Sequence, residues 1–139
     1  MFNLYFRQWF DSTGFEHHCL ICKTNVRKKS KHCGQCNRCT EEFDHHCAVL
    51  NNCIGSKNYQ TFIYLINCTF VLSAYHILID IMTVPSASQS SKIIKVLLGT
   101  SILLNLLILV ALGKLIFRHF KLQKAGLSTY EYLQIQEGK

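Results

Sequence analysis

Apolar positions crowd into one half of this chain. Residues 59–117 are mostly apolar apart from a polar break near 85–92, whereas the first 58 positions intersperse short apolar groups with Cys, His, Lys and Asn. Two helices are predicted in the apolar half, at about 62–84 and about 93–117. Phe62 to Ile79 carries no formal charge over 18 residues, and Val96 to Gly113 none over another 18. Each stretch meets the length needed to cross a hydrocarbon core. Pro85 and the polar run 86–91 between them read as a turn. Neither helix has a polar face, and no other apolar mass exists to cover them, so a bilayer is the predicted surrounding rather than water. Four zones follow: an aromatic lead-in at 1–18, a cysteine-rich module at 19–58, two transmembrane helices within 59–117, and a basic, then polar, tail at 118–139. The predicted fold class is membrane α-helical. It consists of a two-span hairpin preceded by a module of short hairpins and loops around metal.

Charge placement adds a topology. Two spans joined by a short turn put their outer ends on one side. Lys57, Lys114, Arg118, Lys121 and Lys124 lie near those ends, against Lys92, Lys95 and Asp80 near the turn. The positive-inside rule then places the cysteine-rich module and both termini in the cytosol. No secretory leader is read at the start, because Met1 to Phe10 has no long apolar run and contains Arg7. The net charge of +7 suits an anionic cytosolic leaflet.

Residues 1–58 can bury only a thin core, and modules that small usually rely on disulfides or metal. The chain has eight cysteines and seven histidines. Cys19, Cys22, His32 and Cys39 form one set, and Cys33, Cys36, His46 and Cys53 another. Both read C-x2-C-x9-H-x6-C, and the second is the first moved along by 14 residues. Three thiolates and an imidazole suit a closed, four-coordinate structural zinc site. A reducing cytosol disfavours the disulfide alternative. Two structural zinc ions are therefore expected. Spacing leaves His45 as an alternative to His46, and His17 or His18 as competitors for the first site; the 14-residue repeat selects His32 and His46.

Two cysteines remain. Cys68 falls inside the first span, where a thiol usually serves as a small apolar filler. Cys47 directly follows Asp44-His45-His46. With His46 on metal, Asp44, His45 and Cys47 form a carboxylate–imidazole–thiol set. A neighbouring imidazole can take the thiol proton, and a carboxylate can orient that imidazole. The competing reading makes Cys47 a zinc ligand in another register. A thiol nucleophile at a membrane surface suggests thioester chemistry on a lipid-like acyl donor. Arg27, Lys28, Lys29 and Lys31 are candidates for binding the phosphates of coenzyme A, or else form a solvated loop.

These residues resemble a known family. His32-Cys33 through Asp44-His45-His46-Cys47, then Asn51-Asn52-Cys53-Ile54-Gly55 and 58–62, are similar to the DHHC-type protein S-acyltransferases (palmitoyltransferases). The likeness continues through the spans to Ser128-Thr129-Tyr130-Glu131, which is similar to the family's Thr-Thr-x-Glu motif. The resemblance implies that Cys47 attacks an acyl-CoA such as palmitoyl-CoA and carries the acyl group to protein substrates with cytosolic cysteines. It implies His45 as base, Asp44 as its orienter, and two structural zincs. Thr129 would match the tail threonine near the active site, and Asn58 the asparagine after the last zinc cysteine. A multi-pass protein of endomembranes such as the endoplasmic reticulum or Golgi is implied as well. The sequence departs from the family pattern in lacking the usual first two spans, in having Ala48 and Val49 where Pro and Trp commonly follow the nucleophile, in having Lys23-Thr24-Asn25 where a Lys-Pro pair is usual, and in its short tail.

Some features stand apart from that likeness. His76 and Asp80 lie four apart and could pair across one helical turn. Asn67 and Asn105 are expected to hydrogen-bond between the spans. Phe2, Tyr5, Phe6, Trp9 and Phe10 suggest an interfacial anchor or the stub of a lost span. Ser128 and Glu131 fit a capping box. Two other functions compete with acyl transfer. A catalytically impaired, membrane-anchored zinc adaptor would bind a partner without chemistry. A nucleic-acid binder would need a recognition helix or an aromatic-rich strand surface, and neither pattern is present.

Overall fold

The structure, a computed structural model, describes residues 15–27, 29–84 and 91–138. The aromatic lead-in up to residue 14, Lys28 and the turn at 85–90 lie outside the described residues. The chain divides into two compact units. One holds residues up to 59 together with 127–139, and the other holds residues 60–126.

The first unit is built from three two-stranded antiparallel hairpins. They are β1 (Phe15–Cys19) with β2 (Thr24–Arg27), β3 (Lys31–Cys33) with β4 (Arg38–Thr40), and β5 (His45–Cys47) with β6 (Asn52–Ile54). The 14-residue repeat seen in the ligands extends to the backbone. Cys19, Cys33 and Cys47 each end the first strand of a hairpin, opposite Thr24, Arg38 and Asn52. Each turn then passes through one left-handed residue at the same spacing: Lys23 (φ 51°), Asn37 (φ 48°) and Asn51 (φ 45°). Asn tolerates that region well, whereas Lys pays more for it. Neighbouring hairpins are tied by Arg27 Nη1 donating to Glu41 Oε1 at 2.6 Å and Arg38 Nη2 donating to Asn52 Oδ1 at 2.6 Å.

Among the described residues of this unit the buried apolar side chains are few: Val26, Ile54 and three cysteines. Backbone bonds tie the segment after β6 to the link before β5. Asp44 N–H donates to Ile54 O at 2.9 Å and Ser56 N–H to Glu41 O at 3.1 Å. Asn58 closes the corner, its Oδ1 accepting from Gly55 N–H and its Nδ2 donating to Cys53 O. Gly55 is required here by space. A Cβ on it would stand 2.5 Å from Glu41 O and 2.7 Å from Thr40 Cγ2. Gly55→Ala is expected to cost about 2–3 kcal/mol through overpacking against backbone. Amide exchange at Asp44 and Ser56 should accelerate accordingly, and unchanged protection would refute the assignment.

The tail ends in helix α3 (Thr129–Gln136). Ser128 caps it: its hydroxyl accepts from Glu131 N–H, and Glu131 Oε2 accepts from Ser128 N–H, as the sequence predicts.

The second unit is a helical hairpin of α1 (Tyr59–Thr83) and α2 (Lys92–Ala125), Tyr59 itself being counted with the first unit. Mean hydropathy reaches 1.8 and 2.4 in their most apolar windows, and large apolar side chains such as Val71, Leu72, Leu104 and Leu107 point outward. Helices of this length with an apolar exterior suit a bilayer. The first helix matches its expected bounds within a few residues. The second runs eight residues past the predicted end at 117, because 118–125 holds good helix formers and no breaker. It stops where Gly126 adopts φ 68°.

The polar residues between these helices pair differently from expectation. His76 and Asp80 do not bond to each other. Asp80 Oδ2 accepts from Ser101 Oγ at 2.7 Å, and His76 Nδ1 lies 3.2 Å from Asn105 Nδ2. Both partners come from α2: the buried Asp80 carboxylate takes a hydroxyl donor across the helix interface, and the exposed His76 meets an amide there. Asn105 thus bridges the helices as expected. Asn67 instead donates to Ile63 O on its own helix.

Candidate functional site

The repeat places two ligand quartets. Cys19, Cys22, His32 and Cys39 bring their donor atoms within 4.8 Å of one another, and so do Cys33, Cys36, His46 and Cys53. In both, the His and the last Cys face each other across a hairpin, His32 opposite Cys39 and His46 opposite Cys53. The C-x2-C pair comes from the end and turn of the preceding hairpin. The sulfurs of the first quartet stand 3.8, 3.2 and 3.9 Å from His32 Nδ1. Those of the second stand 3.7, 3.4 and 3.8 Å from His46 Nδ1. A tetrahedron with zinc–sulfur bonds of about 2.3 Å and zinc–nitrogen bonds of about 2.0 Å has edges of roughly 3.5–3.8 Å, so the donor sets fit a zinc ion each. Among the other candidates, His18 Nδ1 bonds to Asn25 Oδ1 at 2.9 Å, and His17 is exposed.

Thiol acidities reflect this crowding. The backbone N–H of Cys22 and the Cys39 thiol draw Cys19 down to about 6. Burial, then the neighbouring Cys19 and Cys22 sulfurs, push Cys39 up to about 12. Burial and Cys36 likewise push Cys53 up to about 12. A cluster that holds protons on some sulfurs and sheds them from others is one that a dication would complete by displacing the remaining protons.

Strand alternation sorts the next three residues. In β5, His45 and Cys47 share one face and His46 takes the other, so metal ligation by His46 leaves His45 and Cys47 together on the opposite side. Cys47 is half-buried and belongs to neither quartet. Asp44 sits just before the strand, 4% exposed. Its Oδ2 accepts from His45 Nδ1 at 2.6 Å and its Oδ1 from the backbone N–H of Thr129 at 2.9 Å. In the neutral imidazole, a proton held on Nδ1 leaves Nε2 as the acceptor.

Burial opposes ionisation of Asp44, but the His45 hydrogen bond and the Thr129 N–H outweigh it and hold the carboxyl below its usual range. The ionised form therefore stabilises the fold fully above the ordinary carboxylate range, and that stabilisation is lost as pH falls through the lowered value. The Thr129 amide resonance is expected to titrate in that acid window in the wild type and to be silent in Asp44→Asn. A Thr129 signal that ignores Asp44 would contradict the contact.

Helix α3 is fastened to the same unit by further contacts. Lys29 Nζ pairs with Glu131 Oε1 at 2.8 Å, Phe43 meets Tyr130 edge-on at 5.7 Å, and Lys31 Nζ lies 5.3 Å above the Tyr130 ring. Between them is a cleft of about 230 Å³ lined by Lys29, Lys31, Glu42, Phe43, Tyr130 and Glu131 among others. That volume falls below the ordinary range for ligand pockets. Of the basic run, Arg27 and Lys29 thus face carboxylates of the same unit and Lys31 an aromatic ring. The roles of Gly55 and Asn58 in setting the corner before α1 have no local sequence signal beyond the residues themselves.

Three hairpins, two Cys3His quartets that fit a metal ion each and a pair of bilayer-length helices define a membrane protein with a cysteine-rich module. A family model described as DHHC palmitoyltransferase matches residues 12–136, and the chain belongs to that family. Its relatives include the Arabidopsis thaliana protein named "Probable protein S-acyltransferase 20", 33% identical over 132 aligned positions, covering 83% of this chain and 19% of that protein. The human palmitoyltransferase ZDHHC11 is 32% identical over 147 aligned positions, covering 83% of this chain and 35% of that protein. The Neurospora crassa palmitoyltransferase akr1 is 42% identical over 67 residues, 48% of this chain and 9% of that protein. The chain thus spans well under half the length of each of these relatives.

Proposed function

We propose that this chain is a protein S-acyltransferase in which Cys47 carries the acyl group. The observation that carries the reading is the placement of Cys47 outside both quartets, on the strand face it shares with an Asp44-held His45. In the first step the Cys47 thiolate attacks the carbonyl carbon of a long-chain acyl-CoA such as palmitoyl-CoA. A new carbon–sulfur bond forms, the bond to coenzyme A breaks, and the coenzyme leaves as thiolate. In the second step a substrate cysteine attacks acyl-Cys47. Its proton passes to a base, and Cys47 is released as thiolate. His45 is the base for the thiol protons, and Asp44 fixes its tautomer and steadies its cation.

The quartets supply structure rather than chemistry: Cys19, Cys22, His32 and Cys39 would hold one zinc, and Cys33, Cys36, His46 and Cys53 the other. Arg27, Lys28, Lys29 and Lys31 are the residues proposed to meet coenzyme A phosphates. For Arg27 and Lys29 this means exchanging Glu41 and Glu131 for phosphate. The cysteine-rich module and both termini are assigned to the cytosolic side by the excess of Lys and Arg at that end, in a multi-pass protein of endomembranes. The relatives' names support acyl transfer as the general activity. The test is hydroxylamine-sensitive acylation of the 139-residue chain in membranes supplied with labelled palmitoyl-CoA. Zinc binding and membrane insertion without label would favour the adaptor alternative.

A further inference from the structure

Helix α2 is longer than a bilayer core needs. Its 34 residues span about 51 Å at the α-helical rise, against a hydrocarbon thickness of about 30 Å. The uncharged stretch from Val96 to Gly113 accounts for that thickness. The final 12 residues, Lys114 to Ala125, therefore run through and beyond a headgroup layer. His119 and Leu122 are buried, while Lys114, Phe117, Arg118, Phe120, Lys121 and Lys124 are all exposed. At 100° per residue these six occupy one contiguous side. The helix contains no Asp or Glu. Among the described residues none of the four cations has a carboxylate partner. Lys121 Nζ lies 4.6 Å from the Phe117 ring centre and Lys124 Nζ 4.8 Å from that of Phe120. Arg27 and Lys29 of the cysteine-rich unit, by contrast, are paired with Glu41 and Glu131.

We infer that this side of α2 is a docking surface for anionic phospholipid headgroups. Four uncompensated cations on three helical turns attract the phosphate and carboxylate groups of such lipids. The two phenylalanine rings fit the boundary between headgroup and acyl chain, and they brace the lysine stems above them. Zwitterionic lipids offer the same phosphate with a cancelling amine, so the surface should discriminate by net charge. The inference rests on the membrane-embedded reading and is independent of the acyl-transfer one.

The test uses the zinc-loaded chain reconstituted in phosphatidylcholine vesicles containing spin-labelled phosphatidylserine or spin-labelled phosphatidylcholine. Flotation of the chain with pure phosphatidylcholine vesicles checks embedding first; failure there sinks the membrane reading and this inference with it. The motionally restricted fraction is then compared for the two labels. Wild type is expected to enrich phosphatidylserine at least about threefold at low salt, and the preference should shrink towards unity near 1 M salt, where charges are screened. Replacing Lys114, Arg118, Lys121 and Lys124 together by Gln should abolish it, and Arg118→Gln or Lys121→Gln alone should reduce it. Lys92→Gln with Lys95→Gln, at the opposite end of the same helix, should leave it intact. Equal restriction of both labels by wild type overturns the inference, as does retention in the quadruple variant. Equal loss in the Lys92/Lys95 variant overturns the placement. If the quadruple variant fails to insert, the salt titration and single variants decide.

Discussion

Cys47→Ala is expected to remove covalent acyl labelling of this chain entirely, a fall of at least about 100-fold, because no other cysteine of the module can substitute. The remaining six sulfurs of the cysteine-rich unit lie within the two quartets, where a thiolate shared with a dication is a poor nucleophile. Cys68 lies on α1, seven residues before Tyr75, with no general base bonded near it in the structure as described. Cys47→Ser tests the chemistry more finely. A hydroxyl in the same place lacks the thiol's acidity, so any label that formed would be an oxyester, resistant to neutral hydroxylamine. His45→Ala is expected to slow labelling by about 10²–10⁴-fold without abolishing it, as loss of a general base does. Zinc content should stay at two ions in Cys47→Ala. Undiminished label on that variant would refute the nucleophile assignment, and loss of zinc would show the sulfur to be a ligand instead.

Metal removal is the second large effect. Structural zinc sites contribute on the order of 10 kcal/mol each to folding, and among the described residues the first unit buries only Val26, Ile54 and three cysteines as apolar side chains besides. A strong chelator is therefore expected to unfold all three hairpins while α1 and α2 keep their helicity, since their backbone bonds are internal and their exteriors suit a bilayer. Circular dichroism should show retained helix, and amide exchange should show lost protection at Asp44 and Ser56. Reloading should release protons, because zinc takes up the six cysteines as thiolates and the unfolded, metal-free chain holds them as thiols. His46→Ala should lose acylation along with one zinc, because the strand that presents Cys47 is the one His46 anchors. Chelation that leaves hairpin protection unchanged would contradict this account.

Much of this architecture was legible in the sequence where a local rule governed it. The quartets showed because eight positions repeat with one spacing, and the two helices showed because an 18-residue uncharged stretch has few other uses. The capping box at Ser128 and Glu131 was legible for the same reason. Contacts between distant segments were not. The bond from Thr129 N–H to Asp44 joins residues 85 positions apart, and a backbone donor carries no sequence signature. Resemblance pointed to Thr129, but nothing in the residues themselves did. The partners of His76 and Asp80 were misread because the helical i to i+4 rule offered a plausible local answer, whereas α2 presents Ser101 and Asn105 nearer. The length of α2 was underestimated because its predicted end followed the apolar stretch, and the helix continues past that stretch to Ala125.

The third hairpin lacks one sulfur that both of the others carry. Cys19 and Cys33 are each followed three positions later by a second cysteine, but Cys47 is followed by Leu50. A turn that elsewhere forms pincers here has one jaw. A thiol so placed inherits the rigid posture of its two counterparts without being captured by an ion. That separates being held still from being chemically occupied, and a leucine where the pattern calls for sulfur keeps the two apart.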